Sequence, residues 1–267
     1  MNNAGLGVDP WDEHADWWQR EFTEGADPEY VEQILPLIES RLPKAGCVLD
    51  VGCGEGQVTR LAVKAGLDAV GLDAAGAQLS VAKQRGRRRS TAGQGAVPGR
   101  GVAFAQASVT DLPVADASMG MVVASLVFEH VPAYRRGLAE VARVLAPGGR
   151  FLLLLNHPLL QTPDSGWIDD HILEPPEQYW RVGAYLTEAD TVEEVEPDVF
   201  IRFFHRPLSS YLNTAIDAGL VLERMDEPAP PPGFVARAPE YAEAASIPRL
   251  LVLQFKRGPG PIGDALA

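Results

Sequence analysis

The sequence predicts an α/β domain built on a doubly wound, mostly parallel sheet. From residue 47 onward, short apolar segments alternate with helical segments, a pattern typical of strands that are buried on both faces. The length of 267 residues suits one domain of this class with additional segments. Apolar residues make up 46% of the chain and charged residues 22%, as in globular proteins, which argues against a disordered or coiled-coil protein.

The charge and the cysteine content exclude several classes of function. A net charge of −13 repels phosphate backbones, so we expect no nucleic-acid partner. The N-terminus lacks a basic region followed by an apolar stretch, and no apolar run approaches the ~20 residues of a membrane helix. Cys47 and Cys53 are too few for a disulfide framework or a metal quartet. We therefore expect a cytoplasmic protein with no metal site and no membrane association.

Residues 1–45 are predicted to form an N-terminal helical cap. Asp27, Pro28 and Glu29 together resemble a helix start, with a capping acid and a proline in the first turn. A shorter helix ahead of it carries an aromatic cluster: Trp11, Trp17, Trp18 and Phe22. Two interpretations remain open, because these rings either pack the cap onto the body or close over a ligand.

Residues 46–155 are predicted to be the core of the fold. The predicted strands are Cys47–Val51, Ala69–Asp73, Val102–Gln106, Met121–Val127 and Arg150–Leu155. The helix before the last of these is expected to stop at Ala146-Pro147-Gly148-Gly149, since proline and glycine do not propagate a helix. The basic tract Arg85–Gly101 is predicted to be a solvated loop insertion, with contact to a phosphate as the alternative.

Residues 156–207 are too long for an ordinary connection, and we interpret them as an inserted lid or substrate cap. They are rich in aromatic residues, and from Asp164 to Asp198 there are 11 carboxylates and one arginine. Residues 208–267 are expected to close the fold with a helix and two strands, Leu220–Met225 and Leu250–Phe255. These bring the predicted sheet to seven strands.

The segment Val48–Gly56 carries the strongest chemical signal in the chain. An apolar strand ends near Asp50, and a turn with Gly52, Gly54 and Gly56 opens a helix, whose N-terminal N–H groups favour a carboxylate or phosphate. Dinucleotide folds place a third glycine where this chain has Gln57. A carboxylate at Asp50 would repel a pyrophosphate and attract an ammonium group.

A ligand that combines an ammonium, a carboxylate and a ribose is S-adenosyl-L-methionine (SAM). Asp73 ends the second predicted strand, where an acid is placed to bind ribose hydroxyls. The sequence therefore predicts SAM as the cofactor, with a helix cap as the alternative role of Asp73.

Besides the glycine turn, the chain carries in order the segments Gly71-Leu72-Asp73, Asp111-Leu112-Pro113, Val127-Phe128-Glu129-His130-Val131 and Leu145-Ala146-Pro147-Gly148-Gly149-Arg150. Together these motifs resemble those of class I SAM-dependent methyltransferases, and more narrowly the small-molecule group called type 11. The resemblance implies a Rossmann-like methyltransferase fold whose seventh strand is antiparallel. It also implies that Asp50, Gly52, Cys53 and Gly54 hold the methionyl end of SAM and Asp73 the ribose. Ser108 and Val109 would border the adenine, and Leu126 would lie near the methionyl side.

Two positions depart from the family pattern. Ser108 stands where the family often has an aspartate that reads the adenine amine, and Met119-Gly120 stands where Phe-Asp commonly begins the fourth strand. These departures keep open a SAM- or nucleoside-binding protein without catalysis.

Two histidines are candidate bases for the reaction. His130 follows the fourth predicted strand and His157 the fifth, so both are expected at the carboxyl edge of the sheet, where such folds bind ligands. The alternative for each is a structural hydrogen bond.

We thus predict a methyltransferase that acts on an oxygen, nitrogen or carbon nucleophile of a small molecule, as a monomer or homodimer. The aromatic residues of the lid favour an aromatic acceptor, and its acidic residues a cationic one. The alternatives are an NAD(P)-dependent oxidoreductase of similar topology, the binding protein without catalysis, and an aminopropyl transferase that uses decarboxylated SAM.

Overall fold

The computed structural model describes residues 10–91, 101–237 and 245–259. Within them the strands are β1 (Cys47–Val51), β2 (Asp68–Asp73), β3 (Val102–Gln106), β4 (Met119–Ser125), β5 (Leu145–Asn156), β6 (Gly166–Asp170), β7 (Glu177–Arg181), β8 (Ala189–Glu196), β9 (Val199–His205), β10 (Leu220–Asp226) and β11 (Leu250–Arg257). Seven of these strands form one sheet in the order β10-β11-β5-β4-β1-β2-β3. The pairs among β1 to β5 are parallel, and β11 is antiparallel to both β5 and β10. The predicted fold class is confirmed, including the antiparallel last strand.

Helices cover both faces of this sheet. They are α1 (Pro10–Glu13), α2 (Ala15–Phe22), α3 (Leu35–Arg41), α4 (Gln57–Lys64), α5 (Gly76–Thr91), α6 (Tyr134–Val144), α7 (Leu208–Asp217) and α8 (Pro232–Arg237). A π-helical turn, Tyr30–Ile34, precedes α3, and a 3-10 turn, Phe128–His130, follows β4. Helices α6 and α7 pack on one face and α3 and α4 on the other. Over the described ranges, no helix has both the length and the apolar character needed to cross a membrane.

The apolar run of β5 shows why both faces need a covering layer. Phe151, Leu153 and Leu155 point into the core under α6 and α7, while Leu152 and Leu154 point into the core under α3 and α4. Burying each of these side chains stabilises the fold by about 1.5–3 kcal/mol. The strand therefore belongs in the interior of a layered sheet, as its apolar run Phe151–Leu155 indicates.

The order of the strands places a ligand crevice beside β1. The chain passes from β1 to β2 and β3 on one side, and later returns to β4 on the other side of β1. Asp50 is paired with Gly71 of β2 and with Val123 of β4. In open α/β sheets, the carboxyl ends of the strands at such a reversal form the binding crevice.

The N-terminal segment crosses this edge of the sheet. The Asp27 carboxylate accepts the N–H of Glu29 at 3.0 Å, the cap that the sequence predicts. Trp17 of α2 is buried against Ile201 and Phe203 of β9. The segment is thus held between the core and the long insertion.

Residues 156–207, predicted as a lid, form two β-hairpins outside the central sheet. β6 pairs with β7 and β8 with β9, each in antiparallel fashion. In the second hairpin, strand β9 packs against the 3-10 turn after β4. The insertion therefore reaches the carboxyl edge of the sheet through β9.

Two local predictions need correction. Arg85 to Thr91 continue helix α5 instead of forming a loop, because arginine favours helices and Arg85 is anchored by Glu55 at 2.7 Å. The rest of the predicted insertion, residues 92–100, lies outside the described residues. Helix α6 ends at Val144, before the predicted stop at residues 146–149, and that segment extends β5 instead.

Candidate functional site

A cavity of about 340 Å³ opens at the carboxyl ends of β1, β2 and β4. Its volume lies at the lower end of the range typical of small-molecule sites. The predicted site residues in its wall are Asp50, Gly52, Cys53, Gly54, Asp73, Ser108, Val109, Leu126 and His130. The structure therefore brings together every predicted cofactor-binding residue and one of the two candidate bases.

The glycine turn between β1 and α4 meets two different requirements. Gly52 and Gly54 have φ of 68° and 52°, in the left-handed region that disfavours side chains. A Cβ atom at Gly52 would also collide with the side chain of Val127. A Cβ atom at Gly54 would meet only the indole Nε1 of Trp18, at 3.8 Å, so Gly54 presents bare backbone to the cavity. Packing demands the first glycine, and the open face of the second suits close approach of a ligand.

Asp73 connects the two loops that border this turn. One carboxylate oxygen accepts the N–H of Gly54 at 2.7 Å, and the other accepts the N–H of Ala75 at 2.8 Å. The side chain is only partly buried and lines the cavity. Asp73 therefore holds the glycine turn in place and presents a carboxylate edge to a ligand.

Asp50 lies deeper in the same wall, with 2% of its surface exposed. The Thr59 hydroxyl donates a hydrogen bond of 2.5 Å to its Oδ2. Burial raises the pKa of the Asp50 carboxyl to about 7, and the nearby Asp73 carboxylate adds to the increase. A cationic group at this point of the cavity would stabilise the ionised carboxylate, as expected of a contact to an ammonium.

Cys53 and Val109 contribute buried walls and no acid–base chemistry. The Cys53 thiol is buried, and burial raises its pKa, so it stays protonated and unreactive at neutral pH. Val109 is packed among the residues of the core on the far side of the cavity.

Ser108 lies beside Val109, and its hydroxyl is used within its own turn. It shares a hydrogen bond of 2.8 Å with the Thr110 hydroxyl and accepts the N–H of Thr110 at 3.2 Å. The Ser108 hydroxyl therefore shapes the turn that borders the cavity.

Leu126 has a backbone conformation that is uncommon outside glycine. Its φ is 56°, and its N–H donates to the Leu154 carbonyl at 2.9 Å. A left-handed non-glycine residue costs about 1–3 kcal/mol, and such strain is concentrated at functional sites. The conformation turns the chain away from β4 and places the Leu126 side chain in the cavity wall.

His130 ends the 3-10 turn and is held on three sides. Its Nδ1 lies 2.8 Å from the carbonyl oxygen of Arg202, and its ring packs against Trp11 and Phe203 with centroid distances of 4.9 and 4.7 Å. Burial lowers the pKa of His130 to about 4, so the ring is neutral at physiological pH. Because a carbonyl only accepts hydrogen bonds, Nδ1 carries the proton and Nε2 is left as an acceptor.

The structure does not bring His157 to this cavity. Its Nε2 bonds to the Glu227 carboxylate at 2.8 Å, and its Nδ1 accepts the N–H of Leu159 at 3.1 Å. The residue does not line the cavity, since the end of β5 is separated from β1 by β4. His157 ties β5 to the loop before α8, a contact that matches the structural hydrogen bond left open as its alternative role.

The structure adds residues that sequence analysis did not assign to the site. Trp11, Trp18 and Tyr30 of the N-terminal segment line the cavity, together with Gln78 of α5. Gln78 is buried and accepts a hydrogen bond of 3.0 Å from Gln19 of α2. Of the tryptophans in the aromatic cluster, Trp17 packs the cap onto the body, whereas Trp11 and Trp18 border the cavity. Among the cavity residues in the described ranges, none belongs to the predicted lid.

The donor set of this cavity fits SAM. Buried Asp50 suits an ammonium, bare backbone at Gly54 suits a carboxylate, and Asp73 suits ribose hydroxyls. Within the described part of the chain, neither lysine nor arginine lines the cavity, whereas a pyrophosphate site would favour such cationic side chains. Gln57, at the third glycine position of dinucleotide folds, donates through its amide to the Phe22 carbonyl at 3.1 Å. Gln57 therefore binds the N-terminal helical cap to the start of helix α4.

Comparisons with known proteins agree with this assignment. A family model described as a methyltransferase domain matches residues 49–153. A 2-heptyl-1-hydroxyquinolin-4(1H)-one methyltransferase of Mycobacteroides abscessus is 30% identical over 168 residues, which cover 62% of this chain and 67% of that protein. A demethylmenaquinone methyltransferase of Thermus thermophilus is 30% identical over 132 residues, 49% of this chain and 55% of that protein.

Among solved structures, a SAM-dependent methyltransferase from Mesorhizobium loti superposes with a TM-score of 0.69 and 26% identity, covering 83% of this chain and 96% of that one. The chain belongs to the class I SAM-dependent methyltransferase family, whose cofactor is S-adenosyl-L-methionine. It spans about half the length of the first two curated relatives that it matches.

Proposed function

We propose that the protein transfers a methyl group from SAM to a nucleophile of a small molecule. The observation that carries this proposal is one cavity that is lined both by Asp50, Gly54 and Asp73 and by a neutral histidine, His130. Two curated relatives named for methylation of small molecules, a quinolone and a menaquinone precursor, support the acceptor class.

On the cofactor side, each group of SAM has a matching residue. Asp50 and the turn from Gly52 through Cys53 to Gly54 would hold the methionyl end, and Asp73 the ribose. Ser108 and Val109 would border the adenine, and Leu126 the methionyl side. Trp18, whose Nε1 lies beside Gly54, would cover the cofactor from the N-terminal segment.

The sulfonium of SAM supplies an electrophilic methyl group, so the protein's part is to align the acceptor, exclude water and accept a proton. The acceptor's donor hydrogen would face Nε2 of His130. A base with a pKa of about 4 suffices for a hydroxyl acceptor, because the hydroxyl proton becomes strongly acidic as the new bond to carbon forms at its oxygen. The cap residues Trp11 and Trp18 would keep bulk water out of this space.

Calorimetric titration with S-adenosylhomocysteine, the demethylated product of SAM, tests the proposal. We expect it to bind, while NADH and NADPH, titrated as controls, do not. Binding of a nicotinamide cofactor instead would establish the oxidoreductase alternative. If S-adenosylhomocysteine binds but no methyl transfer from SAM is found for any acceptor, the binding protein without catalysis is favoured.

His130 is expected to stay neutral, with the proton on Nδ1, down to a pH of about 4. The reason is that burial disfavours the imidazolium and the Arg202 carbonyl selects one tautomer. Nitrogen and carbon NMR of histidine-labelled protein measures both properties, with His130→Gln to assign the signal and the exposed His171 as a reference in the same spectrum. A His130 signal that titrates near the ordinary value of about 6.5 would contradict this arrangement.

A further inference from the structure

The part of the cavity around His130 differs from the cofactor side in its chemistry. We call it the His130 wall and define it as Trp11, His130, Val131 and Pro132. These side chains are aromatic or apolar, except for Nε2 of His130. The wall is closed from behind by Phe203, on which the imidazole packs.

The charged residues that line the cavity are Asp50, Glu55 and Asp73, all of them acidic. Glu55 is paired with Arg60 and Arg85, Asp50 accepts from Thr59, and the Asp73 carboxylate accepts two backbone N–H groups. No lysine or arginine is found among the cavity residues within the described ranges. The His130 wall therefore offers no countercharge for an anionic acceptor.

We propose that the acceptor is a neutral aromatic compound with a free hydroxyl group, and that Trp11 is the residue that selects for its ring. This inference rests on the proposed function and deepens it by naming the substrate class. Trp11 presents an indole beside the imidazole, and aromatic pairs contribute about 0.5–1.5 kcal/mol beyond their area burial.

The single acceptor atom of His130 discriminates among polar groups. A hydroxyl has one proton to donate to Nε2, and no donor is left unpaired. A carboxylate has no proton to donate and would set its lone pairs against that of Nε2. An ammonium would satisfy one of three N–H donors and leave the others buried against apolar side chains, at about 1–3 kcal/mol for each.

The transfer step balances without any additional reactant. A lone pair of the acceptor's oxygen forms the bond to the methyl carbon, and the bond from that carbon to sulfur breaks with its electron pair going to sulfur. The hydroxyl proton passes to Nε2 of His130, which becomes an imidazolium and later releases the proton to solvent.

A matched set of naphthalenes tests this inference on the whole protein saturated with S-adenosylhomocysteine. 1-Naphthol, 1-naphthoate and 1-naphthylmethylammonium have the same ring and differ in the polar group. By calorimetry at pH 7.5, we expect 1-naphthol to bind at least about tenfold more tightly than either charged compound, a difference of about 1.4 kcal/mol. With SAM in place of the product, mass spectrometry should detect 1-methoxynaphthalene.

Trp11→Ala should weaken binding of 1-naphthol by about tenfold and leave S-adenosylhomocysteine affinity within about twofold. Trp180→Ala is the matched control, since Trp180 lies on β7, away from the cavity, and should change neither affinity. The inference is overturned if either charged compound binds as tightly as 1-naphthol, if no naphthalene binds, or if Trp11→Ala has no effect. Failure of S-adenosylhomocysteine to bind would instead overturn the proposed function.

Discussion

Asp73→Ala is expected to lower the affinity for S-adenosylhomocysteine by at least about 100-fold. Hydrogen bonds to a charged group are worth about 1.5–3 kcal/mol each, and the variant would lose those to both ribose hydroxyls. It would also release the Gly54 N–H, which Asp73 holds at 2.7 Å, so the glycine turn would lose a fixed partner. Calorimetric titration of the purified variant measures the change.

Asp68→Ala is the matched control for this experiment, because Asp68 begins the same strand, β2, but is exposed and does not line the cavity. We expect its affinity for S-adenosylhomocysteine to stay within about twofold of the unmodified protein. An Asp73→Ala variant that binds as well as this control would show that the proposed cofactor contacts are misassigned.

The sheet could be predicted from sequence because short runs of neighbouring apolar residues indicate its strands. The run Phe151–Leu155 is apolar without interruption, and only a strand covered on both faces accommodates it. The boundaries of β4 differ from the prediction, since the strand begins at Met119 instead of Met121 and ends at Ser125 instead of Val127. Leu126 leaves the strand through its left-handed backbone, which no local residue preference indicates.

The convergence of the predicted cofactor residues on one cavity could be expected for a related reason. Asp50 and Asp73 lie in adjacent parallel strands, so their place in the chain already sets them at one edge of the sheet. His157 also lies near the end of a parallel strand, yet it misses the cavity. A residue near the end of a parallel strand is expected at the carboxyl edge of the sheet, but its position along that edge depends on the order of the strands. His157 misses the cavity because β4 lies between β5 and β1.

The N-terminal half of the cavity wall could not be assigned from local patterns. Trp11 reaches the site because Asp12 accepts the N–H of Ala77 at 2.7 Å and because Gln19 bonds to Gln78, 59 positions later in the chain. Such contacts between distant segments depend on the finished packing. The position of Arg85 in helix α5 likewise depends on a contact with a distant segment, since it is paired with Glu55 of the glycine turn.

Glu55→Gln is expected to lower the free energy of unfolding by about 3–5 kcal/mol, the range for breaking a buried ion pair by removing one partner. Glu55 is 1% exposed, and its carboxylate lies 2.6 Å from a guanidinium nitrogen of Arg60 and 2.7 Å from one of Arg85. The variant leaves two guanidinium groups next to a neutral amide. Urea denaturation monitored by tryptophan fluorescence measures the loss.

The control is Glu21→Gln, which removes an exposed carboxylate paired with Arg20 at 2.5 Å and should cost less than about 1 kcal/mol. Equal losses in the two variants would contradict the view that burial makes the Glu55 cluster important.

A double variant, Glu55→Gln with Arg85→Gln, separates two causes of the loss. If unpaired positive charge dominates, the double variant should be more stable than the sum of the single losses predicts, because it removes one stranded cation. If the losses of the single variants Glu55→Gln and Arg85→Gln simply add, the pair between these two residues is not the cause. Glu55 then stabilises the glycine turn through its contacts with Arg60.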